Sequence, residues 1–434
     1  MRTLDASALP AGSVVTKIAR DRESMERAFA TAREIVDAVR RDGDAALLAL
    51  TEKFDRVKPR RLVLSRDELR SALDRIPAEL REALAFASRQ IVAFHRPQVP
   101  VGYEVAIGPG GSVAGQQPRA LDRVGVYVPA GPRGYPSTVL MGGIPARLAG
   151  VREVLVATPP SRATGLPPDV VLAAAALADI DRVVVAGGAQ AVAAMAYGTE
   201  SVPRVDKIVG PGNVYVSAAK LLVQDRVATD GIAGPSEVAV IADGSLPPDL
   251  LAAELLAQAE HDPDAVAVAL VAGNGVDQIL EAVARRSESV PRGPEALAAL
   301  RRNGWLVRVR SVAQAVEIAD GLAPEHLVLA VRDARPLLYA VRNAGCVFLG
   351  RWTTAALGDY TAGTNHVLPT AGSARWRGGL GVRDFVRFVT YVEVAPSDLA
   401  ALSGPAARIA RAEGFESHVA SLEARIALPE EVPR

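Results

Sequence analysis

The chain has 434 residues, 49% of them hydrophobic and 23% charged. That is the balance of a water-soluble globular protein too long for one hydrophobic core. Basic and acidic residues match at 49 each, so no net field draws in nucleic acid or an anionic membrane, and neither is expected as a partner.

The single cysteine, Cys346, cannot form an internal disulfide or a cysteine-based zinc cluster. It lies in the apolar run 346–349 and reads as a small buried hydrophobe. No apolar h-region follows Met1-Arg2-Thr3-Leu4-Asp5, so no secretory leader is expected. No apolar stretch reaches the roughly 20 residues of a membrane span. A cytoplasmic, reducing location is expected.

The first hundred residues carry helical patterns. Residues 20–41 have apolar positions at helical spacing and end at Asp42-Gly43-Asp44. Ser65-Arg66-Asp67-Glu68 is a capping-box pattern before a second helix, and residues 77–95 form a third amphipathic helix. From residue 124 the pattern changes to short apolar runs alternating with helices: 124–128, 154–157, 182–186 and 207–209. Continuous apolar strands between helices indicate a parallel sheet covered on both faces, here of about five strands and ending near Asp230. A second series follows, with strands at 238–241, 266–271, 305–309, 327–331 and 346–349. Residues 353–381, rich in Gly and Thr, read as a long loop of the kind that usually serves function. Residues 405–425 read as one final helix. The predicted fold is α/β, with two doubly wound, Rossmann-like parallel-sheet domains and smaller helical segments at the N- and C-termini.

Five histidines are present, and four stand beside carboxylate or amide residues. Gln258 and His261 are three apart at a helix end, on one helix face. A Gln oxygen and an imidazole there could bind one metal ion, although a polar helix end before Asp262-Pro263 is common. Glu325-His326 follows Pro324 and could supply a water-activating carboxylate and a base; neighbours in sequence usually point apart, which would give them separate tasks. Asp359 offers a hard oxygen ligand and His366 a substrate contact, the alternative being turn-forming polar residues. Glu413 and His418 stand far along the chain, where an isolated helix histidine is usually a surface or core residue. His95 belongs to that class.

No Gly-x-Gly-x-x-Gly fingerprint follows the first strand. Glycine-bearing turns do follow strands and precede helices at Pro129-Ala130-Gly131-Pro132, Gly187-Gly188-Ala189-Gln190 and Gly210-Pro211-Gly212-Asn213. Free N–H groups at helix starts suit phosphates, and ligands of open α/β sheets bind at the carboxyl ends of strands. A nucleotide or phosphate ligand is expected there.

The motifs together resemble histidinol dehydrogenase from about Val39 to Arg425. They include Gly125-Val-Tyr127-Val-Pro-Ala-Gly131, Gly187-Gly-Ala-Gln190, Lys207-Ile-Val-Gly-Pro-Gly-Asn213, Ala233-Gly-Pro-Ser236-Glu-Val238, Gln258-Ala-Glu-His261-Asp-Pro263, Ala323-Pro-Glu-His-Leu327, Gly358-Asp-Tyr360 and Asn365-His-Val-Leu-Pro-Thr370. Each is weak alone; all of them in the family's order are specific. The resemblance implies NAD-dependent oxidation of L-histidinol through L-histidinaldehyde to L-histidine, the last steps of histidine biosynthesis, with two NAD as hydride acceptors. It implies one zinc ion per subunit, held by Gln258, His261 and Asp359, with His418 donated by the partner of a homodimer. His326 would be the general base and Glu325 would activate water. Ser236, His366 and Glu413, the last also donated across the interface, would contact substrate together with the zinc ligands, Glu325 and His326. Tyr127, Gln190 and Asn213 would contact NAD.

The implied division is an N-terminal segment at 1–25; a metal-bearing α/β domain at 26–123 plus 237–380; an NAD-binding α/β domain at 124–236; and a C-terminal segment at 381–434 involved in dimerisation. Two departures stand out. Val328 replaces a glutamate usual in the family, and Trp376-Arg-Gly-Gly379 is atypical. Oxidation of another small amino or hydroxy alcohol remains the alternative.

Overall fold

The structure, a computed structural model, describes residues 1–18, 25–131, 134–231 and 234–427. It divides into two units, Met1–Gln98 with Leu121–Phe385, and Val99–Ala120 with Val386–Arg434.

The chain opens with β1 (Arg2–Asp5), α1 (Ala11–Ile18), α2 (Met25–Asp55), β2 (Val63–Ser65), α3 (Arg66–Ser71) and α4 (Ala78–His95). The second unit then takes β3 (Tyr103–Ala106) and β4 (Val113–Ala120). An alternating series follows in the first unit: β5 (Arg123–Tyr127), α5 (Pro136–Leu148), β6 (Glu153–Thr158), α6 (Asp169–Leu177), β7 (Arg182–Val185), α7 (Gly188–Tyr197), β8 (Lys207–Val209), α8 (Val214–Leu222) and β9 (Ala228–Thr229). A second series comprises β10 (Glu237–Ala242), α9 (Pro248–Ala259), β11 (Val266–Ala272), α10 (Val276–Ser287), α11 (Gly293–Asn303), β12 (Gly304–Val309), α12 (Val312–Leu322), β13 (His326–Ala330), α13 (Ala334–Leu337), β14 (Cys346–Leu349) and α14 (Ala355–Tyr360). The chain ends in the second unit with β15 (Val386–Glu393), α15 (Pro396–Ala412) and α16 (Glu416–Ile426).

The two series make the two Rossmann-like sheets expected from the sequence. One has the order β2-β7-β6-β5-β8-β9 and is parallel except for β2, which runs antiparallel to β7. The other, β1-β12-β11-β10-β13-β14, is parallel throughout. The alternation of strand side chains explains why both sheets are apolar on both faces. Val124 and Val126 enter one core with α4, α5 and α6, while Leu155 and Ala157 enter another with α2, α7 and α8. In the other sheet Val240 and Ile241 likewise point to opposite cores. Each fully buried valine or leucine contributes about 1.5–3 kcal/mol, so this pattern fixes the strand register.

The packing of the N-terminal helices differs from the expected grouping of 26–123 with 237–380. Helix α2 lies on α7 and α8, and α4 on α5, so both cover the sheet containing β5. Their apolar faces are generic and carry no mark of which sheet they cover. Residues 99–120 pair instead in the second unit's sheet, β15-β4-β3, and β1 joins the β12 edge. Helix α2 runs past the expected end to Asp55 through a kink at Gly43. The expected helix start at Arg20, together with Pro132 and Ala233 in the quoted motifs, lies outside the described residues. The capping box forms, with Glu68 accepting the Ser65 N–H at 2.9 Å.

The expected single helix at 405–425 is two helices. Gly414 takes φ +82° between α15 and α16, a conformation that ends a helix and that glycine adopts without a Cβ penalty. Among the described residues no helix is long and apolar enough to cross a membrane.

Candidate active site

Helix α12 ends at Ala323, in left-handed backbone, and Pro324 prevents its continuation. The next two residues are Glu325 and His326, at the amino end of β13. Both are buried. Although neighbours in sequence, they converge on one residue of the adjacent strand. The Glu237 N–H donates to Glu325 Oε2 at 2.8 Å, and His326 Nδ1 lies 3.2 Å from the Glu237 carbonyl oxygen. Parallel pairing of β10 with β13, with Val238 opposite His326, sets this convergence.

A carbonyl oxygen can only accept, so Nδ1 carries a hydrogen and Nε2 is the basic nitrogen of the neutral ring. Nε2 has no hydrogen-bond partner and lies 3.4 Å from Asp359 Oδ1, at ion-pair distance. Phe348 stacks on the ring at 5.8 Å between centroids. Burial opposes charge on His326, but Glu325 and then Asp359 outweigh it and hold its pKa well above the usual imidazole range. Burial likewise opposes charge on Asp359. The adjacent His326 and the nearby His366 and His261 outweigh that burial and keep the carboxyl below its usual range.

Asp359 sits on α14, a short helix inside the segment expected to be a continuous loop. His366 follows it, with Nδ1 2.9 Å from the Asp359 carbonyl oxygen and Nε2 3.1 Å from Thr138 Oγ1. The same tautomer argument makes Thr138 the donor. Burial pulls the His366 pKa below its usual value. Thr138 lies in the first turn of α5, beyond the carboxyl end of β5, so His366 links the two sheets' loops.

Gln258 is buried on α9 with its amide Nε2 unpartnered. Amide nitrogen and oxygen are interchangeable in assignment, so this orphaned end is equally an acceptor without a cation or donor. His261 is exposed just beyond the helix. Ser236 immediately precedes β10, and its carbonyl accepts the Val266 N–H. Glu413 and His418 belong to the second unit and are exposed; the His418 ring stacks on Phe415 at 5.0 Å. Among the described residues no three His, Cys, Asp or Glu side chains cluster as a metal site. Gln258, His261 and Asp359 contain only two such residue types and an amide, and as N/O donors they suit zinc once a fourth ligand is added.

The three glycine-bearing turns lie at the carboxyl ends of β5, β7 and β8 and lead into α5, α7 and α8. Tyr127 is buried, its hydroxyl accepts the Gly188 N–H at 3.0 Å, and burial pushes its pKa up to about 12. Gln190 is buried in the first turn of α7. Asn213 caps α8, with Oδ1 accepting from the Tyr215 and Val216 N–H groups.

Thr138, Glu237, Phe348 and Glu254 were not foreseen as site residues. Glu254 is four residues before Gln258 on α9, and helical spacing could have flagged it. The others are brought in by strand pairing and loop packing. Of the sequence departures, Val328 is buried within β13, where an apolar residue fits, and Trp376 is exposed.

The fold and these paired carboxylate and imidazole groups define an α/β protein with two Rossmann-like sheets and a buried cluster of ionisable side chains. A sequence model of the histidinol dehydrogenase family matches residues 18–426. Histidinol dehydrogenase of Nitrosomonas europaea is 45% identical over 91% of this chain and 92% of its own length. The Pseudomonas aeruginosa enzyme is 45% identical over 91% and 90%. The crystal structure of histidinol dehydrogenase from Elizabethkingia anophelis superposes with a TM-score of 0.92 at 33% identity, covering 98% of each chain. The chain therefore belongs to the histidinol dehydrogenase family and is an oxidoreductase.

Proposed function

We propose that the protein oxidises L-histidinol to L-histidine through L-histidinaldehyde, passing a hydride to NAD in each of two steps. The observation that carries the mechanism is the arrangement of Glu325 and His326 on the Glu237 backbone. It fixes which nitrogen carries the hydrogen, so that Nε2 accepts the proton when the ring is neutral, and Glu325 and Asp359 stabilise the imidazolium that this transfer forms. In the first step Nε2 takes the alcohol proton as the hydride leaves for NAD. Glu325 then takes a proton from the water that adds to the aldehyde carbon. Once His326 has released the first proton to solvent, the hydrate anion gives its remaining hydroxyl proton to Nε2 and its hydride to a second NAD, leaving the carboxylate.

Gln258, His261 and Asp359, with His418 of the partner subunit, would hold one zinc ion. Zinc bound there supplies positioning and polarisation of the amino alcohol. The unpartnered Gln258 amide and the electrostatic coupling of His261 to Asp359 support the assignment. His366, fixed by Thr138 and the Asp359 carbonyl, Ser236 and the partner's Glu413 would orient the substrate. Tyr127, Gln190 and Asn213 would meet NAD. A homodimer in the cytoplasm completes the reading.

The test is NADH formation from L-histidinol and NAD, before and after chelation and after zinc is restored. Two NADH per histidinol, lost on chelation and regained with zinc, are expected. No NADH from metal-replete protein would overturn histidinol as substrate and turn the search to other amino or hydroxy alcohols.

A further inference from the structure

One buried ion pair takes no part in the chemistry above. Lys220, on α8, and Asp230, just after β9, lie 2.6 Å apart with side chains only 3% and 5% exposed. Both also bind one residue of the turn after β8. Lys220 Nζ donates to the Gly210 carbonyl at 2.5 Å, and the Gly210 N–H donates to Asp230 Oδ2 at 2.6 Å.

Gly210 has φ +111°, and an added Cβ would stand 2.1 Å from the Tyr127 carbonyl oxygen. The residue is thus held by charged groups through both of its polar backbone atoms and pressed against the backbone of Tyr127. It begins Gly210-Pro211-Gly212-Asn213, whose last residue uses Oδ1 to cap α8. That cap leaves the Asn213 Nδ2 group outside it. Lys220 reaches back from two turns along the same helix, so α8, β9 and the turn form one braced unit.

Stability alone does not account for such a pair. Taking two charges out of water costs about as much as their attraction returns, and apolar replacements of buried pairs are often neutral. An apolar pair cannot, however, hold both the N–H and the C=O of Gly210.

We propose that Lys220 and Asp230 are positioning residues for the dinucleotide: they lock the 210–213 turn in its NAD-binding orientation and act on NAD affinity rather than on the chemical steps. The proposal rests on the assignment of NAD to these turns. NAD and histidinol dissociation constants are measured by calorimetry on the metal-replete dimer, with kcat and KM for each substrate. The double variant Lys220→Met/Asp230→Asn removes both charges together and keeps an acceptor for the Gly210 N–H. It is expected to raise the NAD dissociation constant and KM at least tenfold, with kcat at saturating NAD within twofold and histidinol affinity and zinc content unchanged. The milder Asp230→Asn keeps one oxygen to accept the Gly210 N–H but loses the second acceptor and the charge that face Lys220; it is expected to raise the NAD constant severalfold, and Lys220→Arg to stay closer to wild type than the double variant. Unchanged NAD affinity in folded Asp230→Asn overturns the proposal, as does an equal loss of NAD and histidinol binding with a lowered melting temperature. Failure of the wild-type protein to bind NAD would instead overturn the underlying cofactor assignment before any variant is made.

Discussion

The Glu254 carboxylate, one helical turn before Gln258, accepts the Ala355 N–H at 3.3 Å, at the first residue of the helix that carries Asp359. Burial pushes this carboxyl above its usual range, and its charge is felt at both His326 and Asp359. One side chain of α9 therefore fixes the start of α14, so the residues proposed to hold zinc from α9 and α14 share a brace. Outer partners of metal ligands typically govern affinity by about 10–100-fold. Glu254→Ala is expected to weaken zinc retention by that order in competition with a chromogenic chelator. Glu254→Gln keeps an acceptor for Ala355 and is expected to recover most of it. Equal zinc affinity in all three proteins would remove Glu254 from this role.

Glu325 and His326 are expected to separate kinetically. His326 serves both proton removals, so His326→Gln should lower kcat by about 10²–10⁴ with either histidinol or histidinaldehyde as substrate. Glu325 acts only in hydration of the aldehyde, and Glu325→Gln retains an oxygen for the Glu237 N–H. That variant is expected to slow aldehyde oxidation far more than the alcohol step, so that single-turnover experiments with histidinol stop near one NADH. An equal loss in both half-reactions would show that Glu325 does more than activate water.

The two parallel sheets were legible because their strands are continuous apolar runs closed by Gly and Pro, as at 182–188 and 207–212. β3 and β15 were not, because their side chains are largely exposed and lack an inward-facing alternation. The ownership of α2 by the β5 sheet was hidden for a related reason: amphipathic spacing says that a face is buried, not against which sheet. In the site, motif order pointed to Glu325 and His326. Their meeting on Glu237 depended on the register of β10 against β13, which no local pattern encodes. Thr138 was equally silent, a plain hydroxyl residue in a helix start until the loop carrying His366 was folded over it.

Asp55, at the end of α2, has a buried carboxylate oxygen without a hydrogen bond. Burial raises its pKa to about 6, against the weaker pull of Arg162. The folded state thus binds the proton more tightly than the unfolded chain, whose aspartate titrates at its ordinary value of 3.8. The stability linked to this proton is fully present below that value and is lost as pH rises through about 6. Asp55→Asn removes the titration. Urea unfolding of the two proteins is expected to converge below about pH 3.8, to favour the variant increasingly as pH rises to about 6, and to change little above that. A constant difference across that range would mean that Asp55 finds a partner in solution.

The second unit carries several large apolar side chains exposed to water. Val101 is 84% exposed, Val392 62% and Ile409 61%, with Tyr103, Phe388 and Phe415 also exposed. Exposed apolar side chains are what an interaction face would use, and Glu413 and His418 stand on the same unit. If each subunit lends these residues to its partner, damage to His326 and damage to His418 fall on different sites of a mixed dimer. A dimer of one His326→Ala chain and one His418→Ala chain has one doubly damaged site and one intact site. Random pairing makes half of the dimers mixed, so co-expression of the two chains should restore about a quarter of wild-type activity although each variant alone is nearly inactive. Zinc content should follow the same pattern for His418 but not for His326. No recovery in a preparation shown by mass spectrometry to contain mixed dimers would place His418 in the site of its own subunit, and an active His418→Ala protein would place it outside the site.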